Sequence, residues 1–298
     1  MQHKILFIAL VLVLIQLINA QPFDYPIGNL STTWFNTESA PHSVRFTDTT
    51  IVRAILLRGS FGPRYACGFY CNGTCDSYLF AVFIVQTNSG SGIVQPAIGF
   101  PQVVWSANRN NPVKLNSTLQ LTSDGNLVLR DADGSLAWST NTPGKGVVGL
   151  NMTDNGNLVM FDRNNKVVWQ SFDHPTDSLV PGQRLFPGQK LTSSVSETNW
   201  KRGQFYMALQ HRRLSVMTNT SPPKVYAEIL STRTSKKLRY AQFRNGSLDL
   251  YVDQSKLAAS VSIRLASSAQ YMKLRPDGHL KVYEWASGWK EIADLNKN

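Results

Sequence analysis

Residues 119–140 read LQLTSDGNLVLRDADGSLAWST, a link NTPGKGVVG follows at 141–149, and residues 150–170 read LNMTDNGNLVMFDRNNKVVWQ. The second half repeats the first. Asn126 recurs as Asn157 and Trp138 as Trp169, each 31 residues on, and Gly125-Asn126-Leu127-Val128 returns as Gly156-Asn157-Leu158-Val159. A fixed period of this length marks an architecture of repeated supersecondary units. Each unit has an alternating strand (Leu119, Leu121), an Asp-Gly or Asn-Gly turn, and a second strand (Leu127, Leu129). A second turn (Asp133-Gly134 or Asn164-Asn165) leads into a third strand that ends on the tryptophan. Asp-Gly and Asn-Gly close tight hairpins because both residues tolerate positive φ. Val103-Val104-Trp105-Ser106, 33 residues before Trp138, supplies a third tryptophan strand. Three short sheets would bring Trp105, Trp138 and Trp169 to a common axis. Large rings filling a shared apolar centre are the plain reading of these residues, in preference to a ligand role.

Three short sheets with Asp-Gly-Asn-Leu-Val repeats resemble the bulb-type, mannose-binding lectin domain, a β-prism. Two longer stretches sharpen the resemblance: Val103-Val104-Trp105-Ser106-Ala107-Asn108-Arg109, and Trp169-Gln170-Ser171-Phe172-Asp173-His174-Pro175-Thr176-Asp177. Both are similar to the tandem-lectin ectodomain of plant G-type lectin S-receptor-like serine/threonine kinases. The resemblance covers nearly all of the chain after residue 30. It implies an all-β protein with two tandem β-prism domains and no enzymatic activity of its own.

The bulk numbers agree with that class. The chain has 298 residues, 42% hydrophobic and 16% charged, with 14 Pro and 20 Gly, a turn-rich rather than disordered composition. Net charge is +11 and uneven: from Pro175 onward there are 19 Lys/Arg against 9 Asp/Glu, and before it 11 against 10. The bland reading is a solvated basic face on the second half, and the sharper one is attraction to an acidic polymer such as a pectic wall glycan. Residues 1–20 read as a secretory signal peptide, with His3 and Lys4 ahead of the apolar run Ile5–Ile18 and Ala20 at the cleavage position. Cleavage would start the mature chain at Gln21. That run is short for a membrane span, which needs about 20 residues, and no later segment could cross a bilayer. The product is expected to be secreted, in the apoplast or cell wall, which disfavours nucleic acid as a partner. Six sequons accord with export: Asn29, Asn72, Asn116, Asn151, Asn219 and Asn245.

Residues 21–42 read as a leader segment with isolated aromatics (Phe23, Tyr25, Trp34), and 43–174 as the first lectin domain. Cys67, Cys71 and Cys75 are the only cysteines. In an oxidising compartment two should pair and one remain; Cys67–Cys75 and Cys71–Cys75 are both open, and the cluster staples a loop. A metal site is not expected, since no His lies nearby. Asp173-His174-Pro175-Thr176-Asp177 reads as a corner joining two domains, with His174 bracing it rather than catalysing. Beyond it the grammar returns in weaker form at Asn245-Gly246-Ser247-Leu248 and Asp277-Gly278-His279-Leu280, 32 residues apart. Tyr226, Tyr251 and Trp285 fall roughly where the tryptophan strands would. A diverged second lectin-like domain is expected over 175–290, then a tail at 291–298.

The resemblance also implies a sugar motif, Gln-x-Asp-x-Asn-x-Val-x-Tyr, whose amide and carboxylate groups bond adjacent mannose hydroxyls while the Val meets the sugar's C–H face. Asp124, Asn126 and Val128 match it in the first unit, with Thr122 for Gln and Arg130 for Tyr. Asn157 and Val159 match in the second, with Thr153, Asn155 and Phe161 elsewhere. Asp277 and Tyr283 match in a third, with Arg275, His279 and Lys281. No unit is complete, and each missing partner leaves a polar group unpaired. Asp-Gly-Asn also has a purely structural role in building the hairpin turn.

Two functions are weighed. One is a secreted, non-enzymatic glycan-recognition module for mannose-type or wall glycans. The other is a protein-binding or dimerising receptor ectodomain fragment without sugar affinity, associating with itself or with a receptor-like kinase, which the spare cysteine would favour. An enzyme is disfavoured, because the chain lacks H-E-x-x-H, G-x-S-x-G and kinase elements. No cofactor is expected, and the five His are scattered.

Overall fold

The computed structural model describes residues 28–59, 61–90, 92–95 and 101–297. The expected signal peptide, its cleavage point and the leader residues Phe23 and Tyr25 lie outside them. Among the described residues the regular structure is strands with two short 3-10 turns. The first half contains β1 (Gly28–Asn29), β2 (Thr33–Phe35), β3 (Ser43–Arg45), β4 (Ile51–Leu57), β5 (Gly62–Cys71), β6 (Leu79–Thr87), β7 (Gln102–Ser106), β8 (Thr118–Leu121), β9 (Leu127–Arg130), β10 (Leu136–Ser139), β11 (Val147–Met152), β12 (Leu158–Asp162) and β13 (Val167–Gln170). The second half contains β14 (Ser178–Leu179), β15 (Arg184–Leu185), β16 (Lys190–Ser194), β17 (Arg202–Leu209), β18 (Arg213–Thr218), β19 (Val225–Ser231), β20 (Tyr240–Arg244), β21 (Ser247–Tyr251), β22 (Leu257–Ser262), β23 (Gln270–Leu274), β24 (Leu280–Trp285) and β25 (Trp289–Asp294).

They assemble into six antiparallel sheets, three per half. The first prism has sheets β3-β4-β5-β6-β7, β2-β8-β9-β10 and β1-β11-β12-β13. The second has β16-β17-β18-β19, β15-β20-β21-β22 and β14-β23-β24-β25. The tandem all-β prism arrangement expected from the repeats is what the chain adopts. Its ends differ from the expected boundaries. The segment expected as a leader supplies β1 and β2, which pair with β11 and β8. Trp34 sits opposite Leu119 and packs on the first core, because an alternating Thr-Trp-Phe strand next to β8 turns its central ring, half-buried, toward that core. The expected tail is likewise structural: β25 runs through Asp294, and Leu295 is buried in the second core.

In the first prism the three tryptophans lie on the edge strands β7, β10 and β13 and meet on the axis. Their ring centroids are 6.0, 5.9 and 5.8 Å apart, with interplanar angles of 72°, 70° and 71°. The aiming device is a bulge. Trp105 pairs with Val82 and Val103 with Phe83, so Val104 is skipped. Ala137 is skipped before Trp138, and Val168 before Trp169. One extra residue per strand re-aims the next side chain toward the axis.

The second prism keeps the bulges and loses the rings. Tyr226, Ala258 and Ile292 are the skipped residues, and Ala227, Ala259 and Ala293 follow them, opposite Val216, Leu250 and Val282. Three alanines therefore hold the tryptophan places. Of the aromatics expected there, Tyr226 is one residue off, while Tyr251 and Trp285 lie on the middle strands β21 and β24. Aliphatic residues such as Leu250, Val282 and Leu295 fill the core instead.

The first sheet is buried on both faces. Strand β6 reads LFAVFIVQT and is closed to solvent along nearly all its length, as a continuous apolar run between two covered faces should be. One face joins the tryptophan core; the other packs with Phe46, Ile93 and Trp200 of the second prism. Cys71 and Cys75 are bridged, with their Cα atoms 5.2 Å apart. Cys67 is free and fully buried, and burial pushes its thiol up to about 12. The spare cysteine is therefore not presented to a second chain.

Arg109 locks the two prisms together. Its guanidinium donates to the carbonyls of Trp200 (2.7 Å), Thr192 (2.8 Å) and Ser193 (2.9 Å) and to Ser194 Oγ (3.1 Å). Buried Asp177 accepts from Ser178 Oγ and Ser194 Oγ and lies 3.9 Å from Lys273 Nζ. Burial alone would raise the Asp177 pKa, but Lys273, Arg109 and the two hydroxyls outweigh it and hold the carboxyl below its ordinary value. The corner braces the tryptophan end, since the His174 ring stacks on Trp169 (5.4 Å, 15°) and its carbonyl accepts Trp105 Nε1–H at 2.8 Å.

Candidate sugar-binding faces

The three candidate motifs lie on three sheets with different surroundings. On the first, Thr122, Asp124 and Asn126 form the β8–β9 turn and Val128 lies on β9. The Thr122 hydroxyl sits against the Asp124 carboxylate and within 2.9 Å of the Asn126 carbonyl, and it accepts the Asn126 N–H at 3.0 Å. Threonine in the motif's Gln place is therefore a clamp on the turn, whose Gly125 has φ 83°. Asn126 Oδ1 accepts from Thr140 Oγ1 (3.0 Å) and the Thr142 N–H (3.2 Å). The amide's oxygen is thus consumed inside the fold, and its Nδ2 faces outward with no protein partner among the described residues. Asp124 and Arg130 are exposed, and Val128 is nearly buried, with 8% exposure against 7% for Val159 in the second motif.

The register gives the outward face of this sheet. Thr33, Gln120, Val128 and Ser139 are cross-strand neighbours in one row, and Phe35, Thr118, Arg130 and Leu136 in the next. Nothing among the described residues covers it: Phe35 and Leu136 are 56% and 57% exposed.

The second motif has the same clamp. Thr153 sits against Asn155 Oδ1 (2.5 Å) and accepts the Asn157 N–H (3.0 Å). Asn157 is more fully consumed than Asn126. Its Nδ2 donates to Gln170 Oε1 (2.8 Å), and its Oδ1 accepts from Ser171 Oγ and the Phe172 N–H (both 3.2 Å). Phe161 lies across the face, so a Cβ added at Gly149 would come within 2.5 Å of its ring. The sequon residue Asn151 stands beside Val159 on this face, with its Oδ1 bonded by Arg58.

The third motif faces the other prism. Tyr283 stacks on Tyr271 (5.0 Å, 17°), and the Tyr271 hydroxyl donates to Gln102 Oε1 of the first prism at 2.9 Å. Arg275 pairs with Glu197 (3.0 Å), Lys281 with Glu291 (2.9 Å), and His279 Nδ1 with Asp294 (2.8 Å). Asp277 stays exposed and accepts the His279 N–H at 3.0 Å, an Asx turn. Four motif positions are thus engaged in stacking or ion pairs.

A strap that sequence reasoning missed recurs beneath the motifs. The N–H of Leu127 donates to Thr140 Oγ1, that of Leu158 to Ser171 Oγ, that of Phe80 to Asn108 Oδ1 and that of Leu280 to Asn296 Oδ1, at 2.9–3.0 Å. The signal was present, because Ser-x-Asn, Ser-Thr and Gln-Ser follow the three tryptophans.

Of the sequons, Asn29, Asn116, Asn219 and Asn245 are exposed; Asn72 is half-buried in the disulfide loop and Asn151 half-buried in a strand. Among the described residues no helix is long and apolar enough to cross a membrane, and no group of three or more His, Cys, Asp or Glu is placed to hold a metal.

A β-prism whose Asp-Gly-Asn and Asn-Gly-Asn hairpins surround a tryptophan axis, followed by a second prism that keeps the bulges without the rings, defines a bulb-type lectin fold. Residues 102–201 match the D-mannose binding lectin family, so this chain carries a bulb-type lectin domain. Among its relatives is EP1-like glycoprotein 2 of Arabidopsis thaliana, 54% identical over 126 residues, covering 41% of this chain and 28% of that one. The epidermis-specific secreted glycoprotein EP1 of Daucus carota is 39% identical over 203 residues, covering 61% and 52%. A G-type lectin S-receptor-like serine/threonine-protein kinase of Arabidopsis thaliana is 27% identical over 249 residues, covering 74% and 27%. The chain thus spans no more than about half the length of these relatives.

Proposed function

We propose that this chain is a secreted glycan-recognition module, in the apoplast or cell wall, that takes mannose-type glycans on the face bearing Asp124, Asn126 and Val128. The observation that carries this reading is the contrast between the three motif faces. Only the first combines an exposed carboxylate with an unengaged amide N–H pair, beside a Val128 that is 8% exposed. The second lies under Phe161 with its Asn fully engaged, and the third is turned into the contact between the prisms. Asp124 can accept from one hydroxyl of a mannose while Asn126 Nδ2 donates to its neighbour, and Val128 can meet the C–H face. Thr122 and Arg130 replace two polar partners, so affinity should be weak, each lost hydrogen bond being worth about 1 kcal/mol. Secretion is supported by the signal-peptide pattern of residues 1–20 and by the name of the carrot relative.

The test is a titration of the labelled chain with methyl α-mannoside, followed by amide NMR shifts. Shifts confined to residues 122–130 support the reading. Shifts at 153–161 or 275–283 instead, or none at all, overturn it.

A further inference from the structure

We propose that the basic pole of the second prism is a separate binding site for a linear glycan carrying repeated carboxylates, a polyuronate. Three loops build it: 210–212 between β17 and β18, 232–239 between β19 and β20, and 252–256 between β21 and β22. Backbone bonds fix them side by side. The Thr232 N–H donates to the Arg212 carbonyl (3.0 Å), the Leu238 N–H to that of His211 (3.2 Å) and the Arg239 N–H to that of Tyr251 (2.7 Å). Thr232 Oγ1 donates to the Ala258 carbonyl (3.1 Å), and the Tyr240 hydroxyl to the Gln254 carbonyl (2.8 Å). The loops are therefore built rather than loose.

They carry Arg212, Arg233, Lys236, Lys237, Arg239 and Lys256, all exposed, against a single acid, Asp253. None of the six forms an ion pair with a residue of the protein among the described residues. Two backbone N–H groups hold the Asp253 carboxyl below its ordinary value, with the charges of Lys236 and Lys256 adding to them. Between the loops is a hollow of about 460 Å³, lined by Ser231, Thr232, Arg233, Thr234, Lys256 and exposed Leu257 among others.

Unpaired cations on an ordered scaffold attract a polyanion at long range. The lining selects among polyanions. The hydroxyl-bearing Ser231, Thr232 and Thr234 beside the apolar Val252, Leu257 and Ala258 suit a pyranose ring, with its hydroxyls and its C–H face. Apart from the imidazole of exposed His211, the loops offer no aromatic platform for stacking successive bases, and no amphipathic helix to lie in a lipid interface. The site is at a different place from the mannose face and stands or falls separately from it.

The experiment uses the full secreted chain and measures binding to polygalacturonate at low and at physiological salt. The comparison variant is Arg233→Ser/Lys236→Ser/Lys237→Ser/Lys256→Ser, whose side chains are exposed and whose fold is checked by circular dichroism. Binding should weaken by about tenfold or more in that variant, and by a similar factor as salt rises, as expected for steering by exposed charges. Asp124→Ala should leave it unchanged, and fully methyl-esterified polymer should not compete. Undiminished binding by the fourfold variant, equal binding of the esterified polymer, no binding at all, or tighter binding to anionic vesicles or single-stranded DNA would each overturn the proposal.

Discussion

Replacing Arg109 by alanine should loosen the two prisms from one another. The wild-type guanidinium spends four hydrogen bonds on three carbonyls of the β16 edge and its neighbouring loop and on Ser194. It is also a charge partner of buried Asp177. Hydrogen bonds to a charged group contribute about 1.5–3 kcal/mol each, and orphaned buried acceptors lose that much unless water reaches them. Arg109 borders hollows on more than one side, so water can enter the truncated site. That argues for a total below the simple sum over the four bonds, about 3–5 kcal/mol, the range for breaking a buried pair. Lysine should recover only a part, because one ammonium cannot reproduce the planar fork that meets three carbonyls at once. The assay is urea unfolding followed by tryptophan fluorescence, comparing midpoints at constant slope. An Arg109→Ala loss under about 1 kcal/mol, or full recovery by Arg109→Lys, would refute the clamp.

Trp169→Ala should cost about 3–5 kcal/mol, as for large buried aromatics, whereas half-exposed Trp285→Ala, off the axis, should cost about 1 kcal/mol or less. Equal losses in calorimetry would contradict the shared tryptophan centre. For Asp177 the folded pKa is depressed, so its contribution is present above the unfolded value near about 4 and is lost as pH falls through the folded value. Stability of Asp177→Asn should accordingly fall less between pH 5 and pH 2 (roughly) than that of the wild type, and a parallel fall would remove the assignment. Cys67 should resist maleimide in the native chain and react only on unfolding, which mass spectrometry reads directly; rapid native labelling would place the thiol at the surface.

The first prism was legible because its signals are local. The Asp-Gly-Asn turns, the alternating strands and the 31-residue spacing each follow from short-range backbone preferences. What escaped depends on pairing across the chain. β1 and β2 are strands only because β11 and β8 offer them an edge, so a Pro- and Asn-rich stretch read as a leader. The second axis escaped because the eye follows aromatics, while the bulge fixes the position and alanine fills it: Ala227, not Tyr226. Arg109 was quoted only as part of a motif, since its role is set by carbonyls 83–91 residues away. The motif residues were found by sequence, but their engagement was not. Thr122 and Thr153 as turn clamps, and Tyr283 at the prism contact, are visible only once the sheets are assembled.

The most direct test of the central claim is a glycan array with the full secreted chain, its Asp124→Ala variant and its Arg130→Tyr variant. Arg130 is exposed, and tyrosine there restores the motif's missing hydroxyl, worth about 1 kcal/mol or roughly fivefold in affinity. The account predicts mannose-type signals that vanish with Asp124→Ala and rise with Arg130→Tyr. Mannose signals indifferent to both substitutions would contradict it.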